Sequence, residues 1–205
     1  MTAELPSLGD RIRAGRLSRG LSLRALAAEV GVSASMISQI ENGRSQPSVS
    51  TLYSITSALG MSIQAVFDAA QRETVDGEAG PATVLSALGA SRGQRIGPVV
   101  RPDDRHALTL DTGVMWERLG ELPPCSVDFL LVTYPPGGTS SSAGGLMRHS
   151  GSEFGYLISG ALVLTLGFEE IPLAAGDAIS FESTTPHSYR NEGAQPAVGI
   201  WFVIE

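Results

Sequence analysis

The segment Leu21–Leu59, LSLRALAAEVGVSASMISQIENGRSQPSVSTLYSITSAL, carries the clearest structural signal in the N-terminal part of the chain. From Leu23 to Val30 its apolar residues recur at i, i+3, i+4 and i+7, which is the spacing of one helix face. Gly31 and Val32 then provide a tight turn, and a second helical stretch follows at once. The segment therefore predicts two short helices joined by a turn.

The sequence predicts five short helices before about residue 68. Serine residues stand where a side chain can cap a helix N-terminus. Gly43 suits the left-handed residue that ends the third helix, and Pro47 fits the first turn of the fourth. The predicted helices begin near Leu8, Ser22, Ser33, Pro47 and Ser62.

The third predicted helix carries short, neutral side chains on its outer face. At about 100° per residue, Met36, Ile37 and Ile40 lie together on the opposite, inner side. Small hydrogen-bonding groups without charge suit insertion into the major groove of DNA, where base edges present donors and acceptors. A small solvated polar face is the alternative. The outer residues are Ala34, Ser35, Ser38, Gln39 and Asn42.

The charge of the chain is unevenly divided. The net charge is −7 over 205 residues, and the chain contains no Lys. Residues 1–72 carry seven Arg and five acidic residues, whereas residues 73–205 carry seven Arg and sixteen acidic residues. Phosphate groups would repel the acidic C-terminal part. Contact with DNA is therefore expected only from the N-terminal part.

With these features, Leu21–Leu59 resembles the Cro/CI-type helix-turn-helix of the XRE family of transcriptional regulators. The turn A-x-x-x-G-V-S and the exit I-x-x-I-E-N-G of the third helix carry the resemblance. It implies a five-helix domain in which Ser33–Asn42 is the recognition helix. It further implies that Ala34, Ser35, Ser38 and Gln39 face bases, with Ser22, Asn42, Arg44 and Ser48 near phosphates.

One departure from the family pattern affects the phosphate contacts. Many members have Gln at the second position of helix two, where this chain has Leu23. We therefore expect binding to depend more on Arg13, Arg16, Arg24 and Arg44. Each phosphate neutralised should steepen the log–log salt dependence by roughly 0.9. For Arg13 and Arg24, solvated surface charge is the alternative.

The expected partner of such a module is double-stranded DNA with a two-fold symmetric operator. One module reads only a few base pairs, so specificity comes from two modules roughly 34 Å apart on the duplex. We therefore expect a homodimer. The sequence has no heptad seam, which leaves the second domain as the expected dimerisation surface.

After about residue 105 the apolar residues mostly alternate, and Gly and Pro separate the runs, which is typical of short antiparallel strands. This pattern predicts a sandwich or small barrel. The fold class is thus multidomain α + β, with a helical domain at 1–68, a linker at 69–82 and a β domain at 83–205. The predicted strands are Ser126–Thr133, Phe154–Ile158, Ala161–Leu166, Ala178–Phe181 and Ala197–Ile204.

Two stretches of the β part resemble the paired motifs of the cupin fold, a double-stranded β-helix. The first is His149-Ser-Gly-Ser-Glu153, followed by Gly160, and the second contains Gly176-Asp177, Pro186-His187 and Asn191. The match is incomplete, because Met147 replaces the first His of the first motif and the Pro-x-Gly of the second motif is lost.

The resemblance implies that His149, Glu153 and His187 converge inside the domain. Two imidazoles and a carboxylate are the set that non-haem Fe(II) favours, so one divalent ion (Fe, Zn or Mn) is a candidate cofactor. The alternative is that these side chains are the polar lining of a small-molecule pocket. The pocket residues expected are Tyr134, Met147, His149, Glu153, Tyr156, His187 and Tyr189.

The combination resembles the XRE-cupin regulators, in which the cupin domain senses a metabolite and the helix-turn-helix binds DNA. This implies a cytoplasmic regulator, associated with the nucleoid when bound, that has no catalytic residues. The alternative is a non-haem metal-dependent cupin enzyme with a vestigial helix-turn-helix. Fosfomycin-type epoxidases also join such domains, and they use an H-x3-E…H triad.

Overall fold

The computed structural model describes residues 7–67, 99–120 and 127–204. The predicted linker at 69–82 lies outside the described residues, so the domain boundaries at 68 and 83 stay predictions. Within the described ranges, no helix combines the length and the apolar character that crossing a membrane requires.

Five α-helices form the N-terminal part, as the sequence predicts. The side chains of Ser7, Ser22, Ser33 and Ser48 cap the first four, each accepting a hydrogen bond from the backbone N–H three residues later. The helices are α1 (Leu8–Ser18), α2 (Leu23–Val30), α3 (Ala34–Glu41), α4 (Val49–Leu59) and α5 (Ile63–Phe67).

The start of α4 differs from the prediction. Pro47 was expected in the first helical turn, but it precedes the cap, and the helix begins at Val49 because the Ser48 hydroxyl takes the capping position. At the other end of this connection Gly43 has a φ of 65°, the left-handed conformation expected there.

The C-terminal part consists of antiparallel strands in two sheets, which confirms the predicted β-sandwich class. One sheet has six strands in the order β1-β2-β3-β9-β4-β7, and the other has three in the order β6-β5-β8. The strands are β1 (Ala107–Thr109), β2 (Met115–Gly120), β3 (Val127–Tyr134), β4 (Ser152–Ser159), β5 (Ala161–Leu166), β6 (Glu169–Ala174), β7 (Ala178–Glu182), β8 (His187–Arg190) and β9 (Ala197–Ile204).

Each of the five predicted strands is present, with bounds that differ by no more than two residues. Four strands of the structure were not predicted: β1, β2, β6 and β8. On β5, Leu162 and Leu164 point into the domain, as their alternation suggests. The inner faces of the two sheets enclose an apolar interior that also contains the candidate pocket residues Tyr134 and Tyr189.

Candidate functional sites

The outer face of α3 is open to solvent. Ser35 and Gln39 are exposed, and Ser38 is half-buried beside them, while Ile37 and Ile40 pack into the helical core. Met36 was expected on the inner side, but 41% of its surface is exposed, so it borders the outer face instead. The helix therefore presents small neutral polar groups outward, a surface that matches the chemistry of base edges.

The residues at the two ends of α3 hold the helix in shape. At its start, Ser33 is the exposed cap and Ala34 is half-buried. At its end, Asn42 Nδ2 donates to the Ser38 carbonyl at 2.6 Å, and the following Arg44 is exposed. Polar atoms at both ends of α3 thus remain at the surface.

Arginine residues of the helical part divide into exposed and buried ones. Arg13 and Arg24 are exposed, as a phosphate contact requires. The prediction for Arg16 is wrong: Arg16 is 7% exposed, because its guanidinium donates to both carboxylate oxygens of Glu41. Arg16 is therefore a structural residue that joins α1 to the end of α3.

Two predicted phosphate contacts depend on helix caps. Ser22, at the start of α2, is exposed. The expectation for Ser48 is wrong, because only 3% of its surface is exposed and its hydroxyl bonds Ser50, Thr51 and the start of α4. Ser48 therefore starts a helix and does not lie at the surface.

A buried cluster forms where β4 faces β8. His149 Nε2 lies 3.5 Å from Glu153 Oε2, and His187 Nε2 lies 3.3 Å from the same oxygen. The three residues are between 0% and 8% exposed, and one ligand atom from each lies within 4.8 Å of the others. The structure thus brings together the two imidazoles and the carboxylate that the motifs place far apart in sequence.

Backbone carbonyls orient both imidazole rings. His149 Nδ1 donates to the Ser150 carbonyl at 3.0 Å, and His187 Nδ1 donates to the Thr185 carbonyl at 2.8 Å. A neutral ring that donates through Nδ1 has its lone pair on Nε2. Both Nε2 atoms are buried without a hydrogen-bond partner and point at the carboxylate of Glu153. This carbonyl–imidazole pairing is the outer-shell arrangement of metal-bound histidines.

The Glu153 carboxyl is ionised in this environment. Burial raises its pKa, but hydrogen bonds from the His149 and His187 rings, donated when their Nε2 atoms carry protons, and one from Tyr189 outweigh burial and hold the pKa at about 2. The Tyr189 hydroxyl donates to Glu153 Oε1 at 2.6 Å. Oε1 is thereby occupied, and Oε2 is left to face the two histidines. The three atoms fit a divalent cation, which would take the place of the Nε2 protons between the two rings and the carboxylate.

A small cavity of about 20 Å³ lies beside this cluster. Its lining includes three predicted pocket residues besides Glu153, namely Tyr134, Met147 and Tyr189. The prediction for Tyr156 is wrong: Tyr156 lies on β4 one position out of phase with the cavity, and 49% of its surface is exposed. Neighbouring positions on a strand point to opposite faces of the sheet.

Several cavity residues lie outside the predicted pocket set. Trp116, Leu130 and Trp201 come from three strands of the large sheet, and Val49 and Tyr53 come from α4 of the helical part. The apolar alternation of their strands indicates that the first three side chains point inward, although β2, which carries Trp116, was not predicted. Nothing in the local pattern of α4 distinguishes Tyr53 from a residue of the helical core.

Two family models match the chain. A helix-turn-helix model (HTH_3) matches residues 12–66, and a cupin-domain model (Cupin_2) matches residues 130–203. The first range contains α2, α3 and α4, and the second contains the His–Glu–His cluster. Both resemblances seen in the sequence are thus confirmed at the level of the domain.

Similar proteins of known class cover nearly the whole chain. "HTH-type transcriptional regulator PuuR" of Escherichia coli is 26% identical over 91% of this chain and 88% of its own length. The crystal structure of an "HTH_3 family Transcriptional Regulator from Vibrio cholerae" has a TM-score of 0.63 at 23% identity, covering 98% of this chain and 96% of that one. The latter similarity supports the fold. A hydroxypropylphosphonic acid epoxidase from S. wedmorenis aligns over both full chains at 19% identity, but its TM-score of 0.45 is too low to support an argument about chemistry.

Proposed function

We propose that this chain, an XRE-type helix-turn-helix protein with a C-terminal cupin domain, is a transcriptional regulator that binds operator DNA through α3 and responds to a small molecule in the cupin cavity. In this proposal residues 1–68 bind DNA, and residues 83–205 bind the effector and a second copy of the chain. The regulator acts in the cytoplasm and lies on the nucleoid when it is bound to DNA.

The exposed face of α3 is the observation that carries the proposal. Ser35 and Gln39 project from a helix whose other side is anchored by Ile37 and Ile40, both almost fully buried. Gln has both a donor and an acceptor, which matches the edge of adenine in the major groove. The exposed Arg44 beyond the helix end supplies charge for the adjacent phosphates.

The experiment is a DNA-binding measurement on the full chain. Operator sites are selected from promoter fragments of the chain's own gene neighbourhood, with excess competitor DNA at moderate salt. Gln39→Ala is expected to change which sequences are preferred, with a loss of about 1–3 kcal/mol at the base pair that Gln39 reads. Ser57→Ala, at an exposed position of α4, is the control and should bind as the wild type does. Absence of any sequence preference in the wild type overturns the proposal.

A homodimer is part of the proposal, and the large sheet supplies its surface. Five outward side chains of β4 and β9 are apolar, although 37–49% of each is exposed. They continue across the sheet: Phe154 pairs in register with Phe202, which pairs with Phe129, and the Phe129 and Phe202 rings stack at 4.5 Å. We call this the apolar sheet face; its most exposed members are Phe154, Tyr156, Ile158, Phe202 and Ile204.

A second copy is the partner that this face fits. Contiguous exposed apolar area marks an interaction site, and a second copy bound there would supply the second recognition helix. Two modules on one symmetric operator are what this class of DNA reader requires. The apolar sheet face is therefore assigned to dimerisation.

A metal ion fits the His149–Glu153–His187 cluster, and its role in the proposal is to bind the effector. A divalent ion held by three protein ligands keeps open positions for oxygen or nitrogen atoms of a small molecule. The protein's own contribution is to fix the rings through the Ser150 and Thr185 carbonyls and the carboxylate through Tyr189.

The same cluster favours a second candidate function, a metal-dependent cupin enzyme. The exposed, neutral polar face of α3 argues against an enzyme, because catalysis in the cupin domain does not require it. One measurement distinguishes the two candidates. If the protein is a regulator, the Glu153→Gln variant should still bind DNA with sequence preference. If the protein is an enzyme instead, the wild type should bind DNA without sequence preference.

A further inference from the structure

Helix α4 belongs to two cores at once. Leu52 and Ile55 are fully buried among the other helices, while Val49 and Tyr53, on another side of α4, line the cavity of the cupin domain. The exposed fraction of Tyr53 is 6%, so its ring is enclosed by residues of the β domain. One helix of the DNA-reading domain is therefore also a wall of the cavity.

The Tyr53 ring covers one member of the buried cluster. It lies flat on the His149 imidazole, with ring centroids 4.1 Å apart and planes inclined by 5°. The edge of Trp116 meets it from the side, at 5.7 Å between centroids and 64° between planes. Tyr53 thus closes the cavity at the point where His149 faces Glu153.

Hydrogen bonds attach the same stretch of chain to the β domain. The Ser50 backbone N–H donates to the Ser140 carbonyl at 2.9 Å, and the Asp111 N–H donates to the Pro47 carbonyl at 3.0 Å. Pro47 lies in the connection between α3 and α4. The recognition helix is therefore joined to the cavity wall through both this connection and the shared helical core.

The cavity is too small for an organic effector. Its volume of about 20 Å³ holds roughly one water molecule, whereas small-molecule sites are typically about 300–1,000 Å³. Most of the lining residues belong to β-strands, which hydrogen bonds hold in register with their neighbours. Val49 and Tyr53 belong to a separate helix that is docked on these strands. We therefore expect α4, and not the strands, to move when the cavity enlarges.

We propose that α4 is the movable wall of the effector site and that Tyr53 transmits its occupancy to the DNA-reading domain. This inference rests on the proposed function, because it deepens the account of the same site. An effector that reaches His149 displaces the Tyr53 ring, α4 moves off the β domain, and α3 moves with α4. Repositioned recognition helices no longer match fixed half-sites, and the operator affinity changes.

The test uses phenol as the probe, in the full-length chain. Tyr53→Ala removes a phenol-sized group, and an apolar cavity left by such a truncation binds ligands of matching shape. Tyr53→Ala is expected to change operator affinity by about 5- to 150-fold, and millimolar phenol should return it toward the wild-type value. Tyr53→Phe keeps the ring and removes only the hydroxyl, so its operator affinity should stay closer to the wild type than that of Tyr53→Ala. Ser57→Ala, at an exposed position of the same helix, leaves no cavity and should not respond to phenol.

Hydrogen exchange provides a readout that does not depend on DNA. In Tyr53→Ala, exchange in α3 and α4 is expected to be faster than in the wild type and to be slowed by phenol. If Tyr53→Ala does not fold, Tyr53→Leu replaces it, because it retains apolar volume without the flat ring. An operator affinity within twofold of the wild type, with exchange unaffected by phenol, overturns the inference. A wild type that shows no sequence preference overturns the proposed function instead. In that case hydrogen exchange alone tests whether α4 is a movable wall of the cavity.

Discussion

Arg16 and Glu41 form a buried two-point ion pair that joins α1 to the last residue of α3. Arg16 Nε lies 2.6 Å from Glu41 Oε1, and Arg16 Nη2 lies 2.8 Å from Oε2. Arg16 also donates to the Leu21 carbonyl at 2.9 Å, so the guanidinium ties together three segments of the helical domain. The orientation of α3 depends on this pair.

Removal of one partner of the pair should lower the stability of the helical domain. Arg16→Met leaves the Glu41 carboxylate buried and unpaired, which is expected to lower the free energy of unfolding by about 3–5 kcal/mol. Chemical denaturation followed by circular dichroism measures the change. Arg13→Met, on the exposed side of the same helix, should change stability by less than about 0.5 kcal/mol and instead reduce the salt slope of DNA binding by about 0.9. Equal stability of the two variants would contradict the structural role of Arg16.

A second prediction concerns the packing of α1 against the end of α3. A Cβ at Gly9 would lie 2.6 Å from the Glu41 carbonyl oxygen and would also clash with that of Ile40. Because backbone atoms cannot yield as a flexible side chain can, Gly9→Ala should cost about 1–3 kcal/mol in a thermal or chemical melt. At Gly15 of the same helix, the nearest atom to an added Cβ is the Met61 Sδ, which can move. Gly15→Ala should therefore be neutral or stabilising, since Ala favours a helix by about 1 kcal/mol. The reverse order of the two variants would contradict this account of the contact.

The helical domain was predictable because its signals are local. Caps such as Ser22 and Ser33 and the left-handed Gly43 act within one turn of the chain, and all are observed. The error at Arg16 has the opposite origin. Its partner Glu41 lies 25 residues away, and a sequence pattern does not distinguish a solvated arginine from one that a distant carboxylate buries.

Two of the missed strands lack the usual apolar alternation for physical reasons. Strand β6 contains Pro172 and begins with two glutamates, which its position at the edge of the small sheet allows. Strand β8, with the sequence HSYR, is polar because His187 and Tyr189 point inward at Glu153. A strand that lines a polar cluster therefore resembles a loop in sequence.

The misplacement of Tyr156 shows what alternation leaves open. Alternation groups the residues of a strand by face, but it does not say which face is inside when both are apolar. On β9 the inner face carries Trp201 and Val203, while Ile200 and Phe202 point outward. Tyr156 lies beside Ile200 on that outer face. The contact of Tyr53 with His149 is likewise invisible in sequence, because it depends on how the two domains dock.

The third prediction is that the buried cluster binds one divalent ion. After dialysis against Zn²⁺ and then buffer, elemental analysis should find about one equivalent per chain. Glu153→Gln keeps the shape of the side chain but removes its charge, and should weaken binding by more than about 100-fold, since loss of an outer-shell partner alone costs 10–100-fold. His106→Ala, the change at the third histidine of the chain, is the control and should retain the ion. A wild type that releases all its zinc would identify the cluster as a metal-free polar lining, and a Glu153→Gln variant that retains the zinc would contradict this ligand set.

The fourth prediction tests the apolar sheet face as the dimer interface. In Phe154→Glu a carboxylate replaces a ring that pairs in register with Phe202, and burying it against its symmetry mate would cost several kcal/mol. Light scattering coupled to size exclusion should find a dimer for the wild type and a monomer for the variant. Phe168→Glu makes the same chemical change at the fully exposed tip of the β5–β6 hairpin and should remain dimeric. Because a monomer reads a single half-site, Phe154→Glu should also bind the symmetric operator more weakly than Phe168→Glu does. A Phe154→Glu chain that still dimerises would exclude this face and direct attention to another surface of the cupin domain.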